Sequence, residues 1–117
     1  MTLEFEAEDG MTHVTALAML IPTNDAFLVL NAVELPQKGT DTYFSVAYDA
    51  GSELNDEQCD HIPGPATVCS GEGVSVGQGE GFVHIHPGIH GIADLAADKY
   101  DWRNPVAQIT VTRIFGD

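Results

Sequence analysis

Basic residues are scarce in this 117-residue sequence, which has four lysines and arginines against 18 aspartates and glutamates, for a formal net charge of -14. So acidic a surface repels phosphate backbones and anionic lipid headgroups, which argues against nucleic acids and membrane surfaces as partners. Cations are the partners that such a charge attracts. The same acidity is also typical of a surface adapted for solubility, which requires no binding site.

Long hydrophobic runs are absent too. The longest, residues 15–22 (TALAMLIP), is less than half of the roughly 20 residues that a membrane-spanning helix needs. The N-terminal stretch MTLEFEAEDG is acidic and lacks the positive charge and apolar segment of a secretion signal. The sequence therefore predicts a chain without a spanning helix.

Cysteine is limited to Cys59 and Cys69, which flank a Pro-Gly-Pro stretch where the chain can fold back on itself. We expect a disulfide between them, and hence a secreted, extracellular or periplasmic location. The alternative is a pair of reduced thiols in a cytosolic protein.

Short apolar stretches separated by turn residues predict an all-β protein, one antiparallel β-sandwich domain over residues 1–117 with little helix. Leu3, Phe5 and Ala7 alternate with glutamates, as in a strand with one wet face. Further strands are expected at residues 13–21, 27–35, 42–48, 81–86 and 106–115, with one short helix within 89–99. Residues 51–81 are polar and rich in glycine, which predicts a long loop pinned by the cysteine pair.

Acidic and amide side chains cluster in two predicted turns, at residues 24–25 (ND) and 49–57 (DAGSELNDE). Hard cations such as Ca2+ take six to eight oxygen ligands, which turns at one end of a sandwich can supply. The spacing does not match an EF-hand loop. Solvated turns in an acidic chain are the alternative explanation.

Three of the five histidines lie within the stretch GFVHIHPGIHG. On a strand, His84 and His86 would share a face, with Val83 and Ile85 buried opposite, and His90 could return after the turn as a third nitrogen ligand. Three imidazoles favour copper or zinc, and Glu80, Asp94 or His61 could complete the set. Alternatively, the stretch is a polar strand face followed by a tight turn.

Five stretches in the order "PTNDAF", "AYDAGSELNDEQC", "IPGP", "GEGFVHIHPGIHG" and "YDWRNPVAQITVTRI" resemble the bacterial branch of the spondin-domain family, related to the N-terminal domain of F-spondin and mindin. The resemblance covers residues 19–114. It implies a secreted, C2-like β-sandwich that binds calcium and serves adhesion or recognition. Matching the family's motifs assigns Asp25, Asp49 and Glu53 to the calcium site, and Asn24 could add an amide oxygen. Glu53 is one carbon longer than the aspartate expected there, and Thr23-Asn24 stands in place of Ser-Pro.

The chain also begins well inside the family pattern, without the early strands of full members. We expect this to leave a sheet edge open, and self-association into a homo-oligomer to cover it.

Three functions remain open from the sequence. The first is a secreted, calcium-binding, spondin-like recognition or adhesion module without enzymatic activity, which binds a protein or glycan at the cell surface. The second is a copper- or zinc-binding protein, for metal handling or as a small metalloenzyme, that uses His84, His86 and His90. The third is a structural domain without metal.

Overall fold

The computed structural model describes residues 1–115, and these form a mostly β protein with two antiparallel sheets. The first sheet has four strands in the order β1-β2-β4-β5, and the second pairs β3 with β6. The strands are β1 His13–Met19, β2 Ala26–Glu34, β3 Thr40–Ser45, β4 Tyr48–Asp49, β5 His84–Ile85 and β6 Ala107–Thr112, with a 3-10 turn at Cys59–His61 and a short helix, α1, at Ala97–Tyr100. The predicted fold class is thus confirmed.

The β1–β2 hairpin is formed by apolar and β-branched residues that favour extended backbone. Met19 pairs with Phe27 near the turn, and the register shifts between Val14 and Ala16. Thr23 stabilises the turn because its hydroxyl donates to the carbonyl of Leu20 and accepts from the backbone N–H of Ala26. The side chains just beyond Thr23 are consequently held at one end of the sheet.

The main apolar core lies beneath the long loop. Ile62, Cys69, Ile89 and Leu95 form a buried cluster, and Trp102 packs against it. The β1 strand, in contrast, is exposed along most of its length, and the molecule is elongated at 53 × 27 × 23 Å. The loop that was predicted for residues 51–81 therefore contributes Ile62 and Cys69 to the core.

The predicted N-terminal strand is wrong. Residues 1–8 form no strand, and Leu3 and Phe5 are exposed. Alternation makes a segment suitable for a sheet, but the segment still needs a neighbouring strand to satisfy its backbone groups. No such neighbour lies beside residues 1–8 in the part of the chain that the structure describes.

The predicted strand at residues 42–48 is divided between the two sheets. β3 ends at Ser45, and β4 begins at Tyr48. At the bend, Ala47 donates its N–H to the side chain of Asn104 and accepts from the N–H of His86. Because Asn104 takes the place of a strand partner, the chain can change sheets here without losing hydrogen bonds.

The expected helix within residues 89–99 is reduced to α1, one turn at Ala97–Tyr100. In residues 1–115 we find no helix with the length and apolar character required to span a membrane.

The disulfide between Cys59 and Cys69 is formed, as predicted. Replacing both cysteines by alanine should lower the free energy of unfolding by about 2–3 kcal/mol, because the unfolded chain is no longer constrained by a short closed loop. Urea unfolding of the oxidised wild type and the double variant measures this change. Equal midpoints would mean that the packing of the loop alone fixes its conformation.

Candidate metal centre

The sheet register brings together side chains that are distant in sequence. Asp49 pairs with Ala26 of β2 on one side and with His84 of β5 on the other. Directly opposed residues of antiparallel strands project to the same face of the sheet. Asp25, which precedes Ala26, and His86, which follows β5, also lie close to Asp49, since the three residues offer ligand atoms within 4.8 Å of one another.

Asp49 is fully buried, at 0% exposure, and each of its carboxylate oxygens accepts one hydrogen bond. The donors are the backbone N–H of Gly51 to Oδ1 at 2.7 Å and the amide of Asn55 to Oδ2 at 2.6 Å. Gly51 has a φ of +69°, and a Cβ at this position would collide with the backbone of Phe82. Glycine therefore allows the loop before β5 to pack directly against the turn that orients Asp49.

Asp25 is 9% exposed, and its two carboxylate oxygens are in different environments. Oδ2 accepts hydrogen bonds from the backbone and hydroxyl of Ser52 and from the backbone N–H of Glu53. Oδ1 is buried and has no hydrogen-bond partner in the protein. Buried polar atoms are normally satisfied, so Oδ1 is available for a ligand.

The first group of possible metal ligands contains Asp25, Asp49 and His86, whose ligand atoms lie within 4.8 Å of one another. His86 is 4% exposed and its ring lies 5.0 Å from that of Trp102, centroid to centroid. Burial lowers the pKa of His86 and outweighs the opposite effect of Asp49 and Asp25. Burial therefore favours the neutral form of the imidazole.

The second group contains Asp49, Glu80 and His84. His84 Nε2 lies 3.6 Å from Asp49 Oδ2 and 3.9 Å from Glu80 Oε1. This group opens to solvent, because the side chains of His84 and Glu80 are 27% and 37% exposed. Since Asp49 belongs to both groups, the carboxylate and histidine stretches meet in one centre that could hold a metal ion.

Two residues predicted as calcium ligands, Asn24 and Glu53, are in a neighbouring cluster. The Asn24 amide nitrogen donates to Glu53 Oε1 at 3.2 Å and to Asp56 Oδ1 at 3.0 Å. The Asn24 amide oxygen accepts the backbone N–H of Glu57. The structure does not place Asn24 and Glu53 in either group of possible metal ligands among residues 1–115.

His90 is likewise separate from His84 and His86. Its side chain is exposed, and its Nε2 lies 3.2 Å from the carbonyl oxygen of Pro87. Two of the expected additional ligands are also engaged elsewhere, since Asp94 accepts from the backbone of Cys59 and His61 pairs with Asp56. Of the three expected additional ligands, Glu80 is the residue that lies in a ligand group with His84.

The expectation that Val83 and Ile85 are buried is wrong, because they are 58% and 53% exposed. β5 has only two residues and lies at the edge of its sheet, and within residues 1–115 nothing buries the face that Val83 and Ile85 share.

Glu57 has a structural role that the sequence did not indicate. It is 2% exposed, and its carboxylate accepts the backbone N–H groups of His90, Gly91 and Ile92. Its own φ of +56° is unusual for a residue with a side chain. A buried carboxylate thus anchors the segment that follows β5 to the acidic loop.

The neighbouring cluster lines a cleft of about 510 Å³, bounded by Asn24, Glu53, His61 and residues 70–74. Burial raises the pKa of Glu53, and Asp25 and Asp56 add to this effect. Burial also raises the pKa of Asp56, but hydrogen bonds from Gln58, Asn24 and His61 outweigh it, so that the pKa falls below its ordinary value.

We expect the stability of Asp56→Asn to depend less on pH in the acid range than the stability of the wild type. A lowered folded-state pKa stabilises the fold above the unfolded-state pKa of about 4, and this contribution is lost as the pH falls through the folded value. Urea midpoints from about pH 5 downward should therefore fall more steeply for the wild type than for the variant. Asp60→Asn, which changes an exposed neighbour, serves as the control, and parallel curves for all three proteins would contradict the assignment.

Comparisons with known proteins found no family model, no curated protein and no solved structure that matches this chain.

Proposed function

We propose that this chain is a divalent-cation-binding recognition or adhesion module of the spondin type, with the cation held around Asp25 and Asp49. The proposal joins the buried centre to the resemblance of the sequence motifs. The disulfide and the high acidity are compatible with an extracellular role, where calcium is plentiful and thiols are oxidised.

The observation that carries the proposal is a concentration of buried negative charge without a permanent counter-charge. The ligand oxygens of Asp25 and Asp49 lie within 4.8 Å of each other, and repulsion between two such charges is on the order of 3 kcal/mol at an effective dielectric constant near 20. The ion pairs found within residues 1–115 all involve histidine, and none involves lysine or arginine. A bound cation would remove the repulsion and satisfy Asp25 Oδ1.

The position of the centre supports a role in recognition. Asp25 comes from the β1–β2 turn, Asp49 from β4, and Glu80 and His84 from the end of the long loop and β5. A cation bound to these side chains would hold three segments in one arrangement at the end of the sheet. We propose that this fixed surface binds a protein or glycan at the cell surface.

Calcium is the cation expected from the carboxylates and from the spondin resemblance. A second candidate function, copper or zinc binding, is favoured by the imidazole of His84 beside Asp49 and Glu80. The two candidate functions differ in the ligands they require: calcium prefers hard carboxylate oxygens, whereas copper and zinc prefer imidazole nitrogen.

Equilibrium dialysis of tag-free protein against calcium, zinc and copper separately, followed by metal analysis, tests the proposal. We expect near-stoichiometric retention of one cation by the wild type and its loss in Asp25→Asn. Glu53→Gln is the matched control, because Glu53 faces Asn24 instead of the centre. Retention of no cation by the wild type would overturn the proposal, and a loss in Glu53→Gln alone would transfer the site to the neighbouring cluster.

A further inference from the structure

The two histidines of the centre differ in which ring nitrogen carries the proton. On this basis, and resting on the proposed function, we infer that His84 Nε2 is the nitrogen ligand that admits a zinc-class cation. His86 instead is a positioning residue, whose Nε2–H has no partner in the metal-free protein and donates to a carboxylate of the centre when the cation is bound.

The tautomer of His84 follows from its contact with a carbonyl group. Nδ1 lies 3.1 Å from the oxygen of Phe82, and because a carbonyl can only accept, Nδ1 carries the hydrogen. Neutral His84 then has its lone pair at Nε2. An Nδ1–H donated to a backbone carbonyl is the usual arrangement of histidines that bind metals through Nε2.

The surroundings of His84 Nε2 suit a cation. Three electron-rich atoms face one another here, with Nε2 at 3.6 Å from Asp49 Oδ2 and at 3.9 Å from Glu80 Oε1. These separations are too long for direct hydrogen bonds. Ligand atoms that share one cation at about 2.0–2.2 Å lie roughly 3–4 Å apart, so small adjustments would bring all three onto a zinc ion.

The tautomer of His86 is the opposite one. The backbone N–H of Gly88 donates to His86 Nδ1 at 2.9 Å, which uses that lone pair and leaves the hydrogen on Nε2. Nε2 is buried without a hydrogen-bond partner, in the group that contains Asp25 and the unsatisfied Asp25 Oδ1. An N–H cannot ligate a metal, but it can donate to a carboxylate and fix its orientation.

A division of roles follows between the two sides of Asp49. Oxygen ligands suffice for calcium, whereas zinc binds more strongly where an imidazole nitrogen is added. His84 therefore determines whether the centre accepts zinc, and His86 orients the carboxylates once either cation is bound.

Long-range 1H–15N NMR spectra of the metal-free protein test the tautomers directly. We expect the Nδ1–H form for His84 and the Nε2–H form for His86, and on addition of zinc a large 15N shift at His84 Nε2 while His86 keeps its proton. Doubly protonated His84 that zinc leaves unchanged would mean an ion pair with Asp49 and Glu80, and would overturn the inference. Displacement of the His86 proton by zinc would do the same.

Binding constants of variants for zinc and calcium give a second test. His84→Gln should weaken zinc binding by more than ~100-fold, beyond the usual effect of an outer ligand, and should change calcium binding by less than ~3-fold. His86→Gln retains an N–H donor and should stay within ~10-fold of the wild type for both cations, whereas His86→Leu should lose ~10–100-fold for both. His13→Gln, at an exposed strand position, is the control.

The two proposals fail in different ways. If the wild type binds no cation at all, the proposed function fails, and the tautomers measured without metal still decide whether His84 and His86 differ. If the wild type and His84→Gln bind zinc equally well, only the assignment of His84 fails.

Discussion

Replacing Asp49 by asparagine should abolish the stabilisation of this protein by its cation. At a cation concentration ~100 times the dissociation constant, binding stabilises the wild type by about 2.7 kcal/mol. For a domain of this size that corresponds to a rise in Tm of roughly 10 °C. We expect the rise to be under ~2 °C in Asp49→Asn, because Asp49 belongs to both ligand groups.

In chelator the same variant should be nearly as stable as the wild type, within about 1 kcal/mol. The substitution removes one of two buried negative charges, and Gly51 can still donate to the remaining oxygen. Asn55 now faces an amide nitrogen, but its own Oδ1 is buried and unpartnered, so a flip of the Asn55 amide restores a hydrogen bond. Thermal unfolding with and without cation measures both quantities.

The control for this pair of measurements is Asp41→Asn, which removes an exposed carboxylate from the other sheet. It has the same change in net charge and should keep the full response to the cation. A large loss of stability for Asp49→Asn in chelator and in cation alike would contradict the account, because it would make Asp49 a structural residue and nothing more.

Replacing Glu57 by alanine should have the largest effect on stability, about 3–5 kcal/mol. The variant removes a buried acceptor of three backbone N–H groups, at His90, Gly91 and Ile92. Hydrogen bonds to a charged group contribute more than neutral ones, and the donors left unpaired keep their desolvation cost. Because Glu57 also accepts the Asp94 N–H through its own carbonyl, the substitution affects a junction between two loops.

Two further variants refine this prediction, with urea unfolding as the measurement. Glu57→Gln keeps one acceptor oxygen and should lose less than Glu57→Ala. Glu72→Ala removes an exposed loop glutamate and should stay within ~0.5 kcal/mol of the wild type. A loss no larger for Glu57→Ala than for Glu72→Ala would show that the three N–H groups do not depend on Glu57.

The parts of the fold that could be predicted from the sequence are those whose local pattern is sufficient. β2 coincides with the stretch expected at 27–35 to within one residue at each end, and β6 lies within 106–115, because the apolar pattern of each stretch coincides with a real partner strand. Residues 1–8 show the same alternation and form no strand. The difference is the neighbour, which an alternating pattern does not reveal.

The candidate centre was predictable in its components and not in their combination. The sequence predicts Asp25 and Asp49 as oxygen ligands and His84 and His86 as nitrogen ligands, in two separate sites. Their union depends on the register of Asp49 against His84 across a long loop, which no local pattern encodes. The calcium and spondin assignments and the expected self-association stay predictions.

The most direct test of the central claim, that one cation is held by the buried carboxylates, is the position of the ion in a crystal. Crystals grown with the cation that dialysis selects should show one anomalous peak about 2.0–2.6 Å from a carboxylate oxygen of Asp49. A centre without a peak, or a peak confined to Asn24, Glu53 and Asp56, would contradict the account.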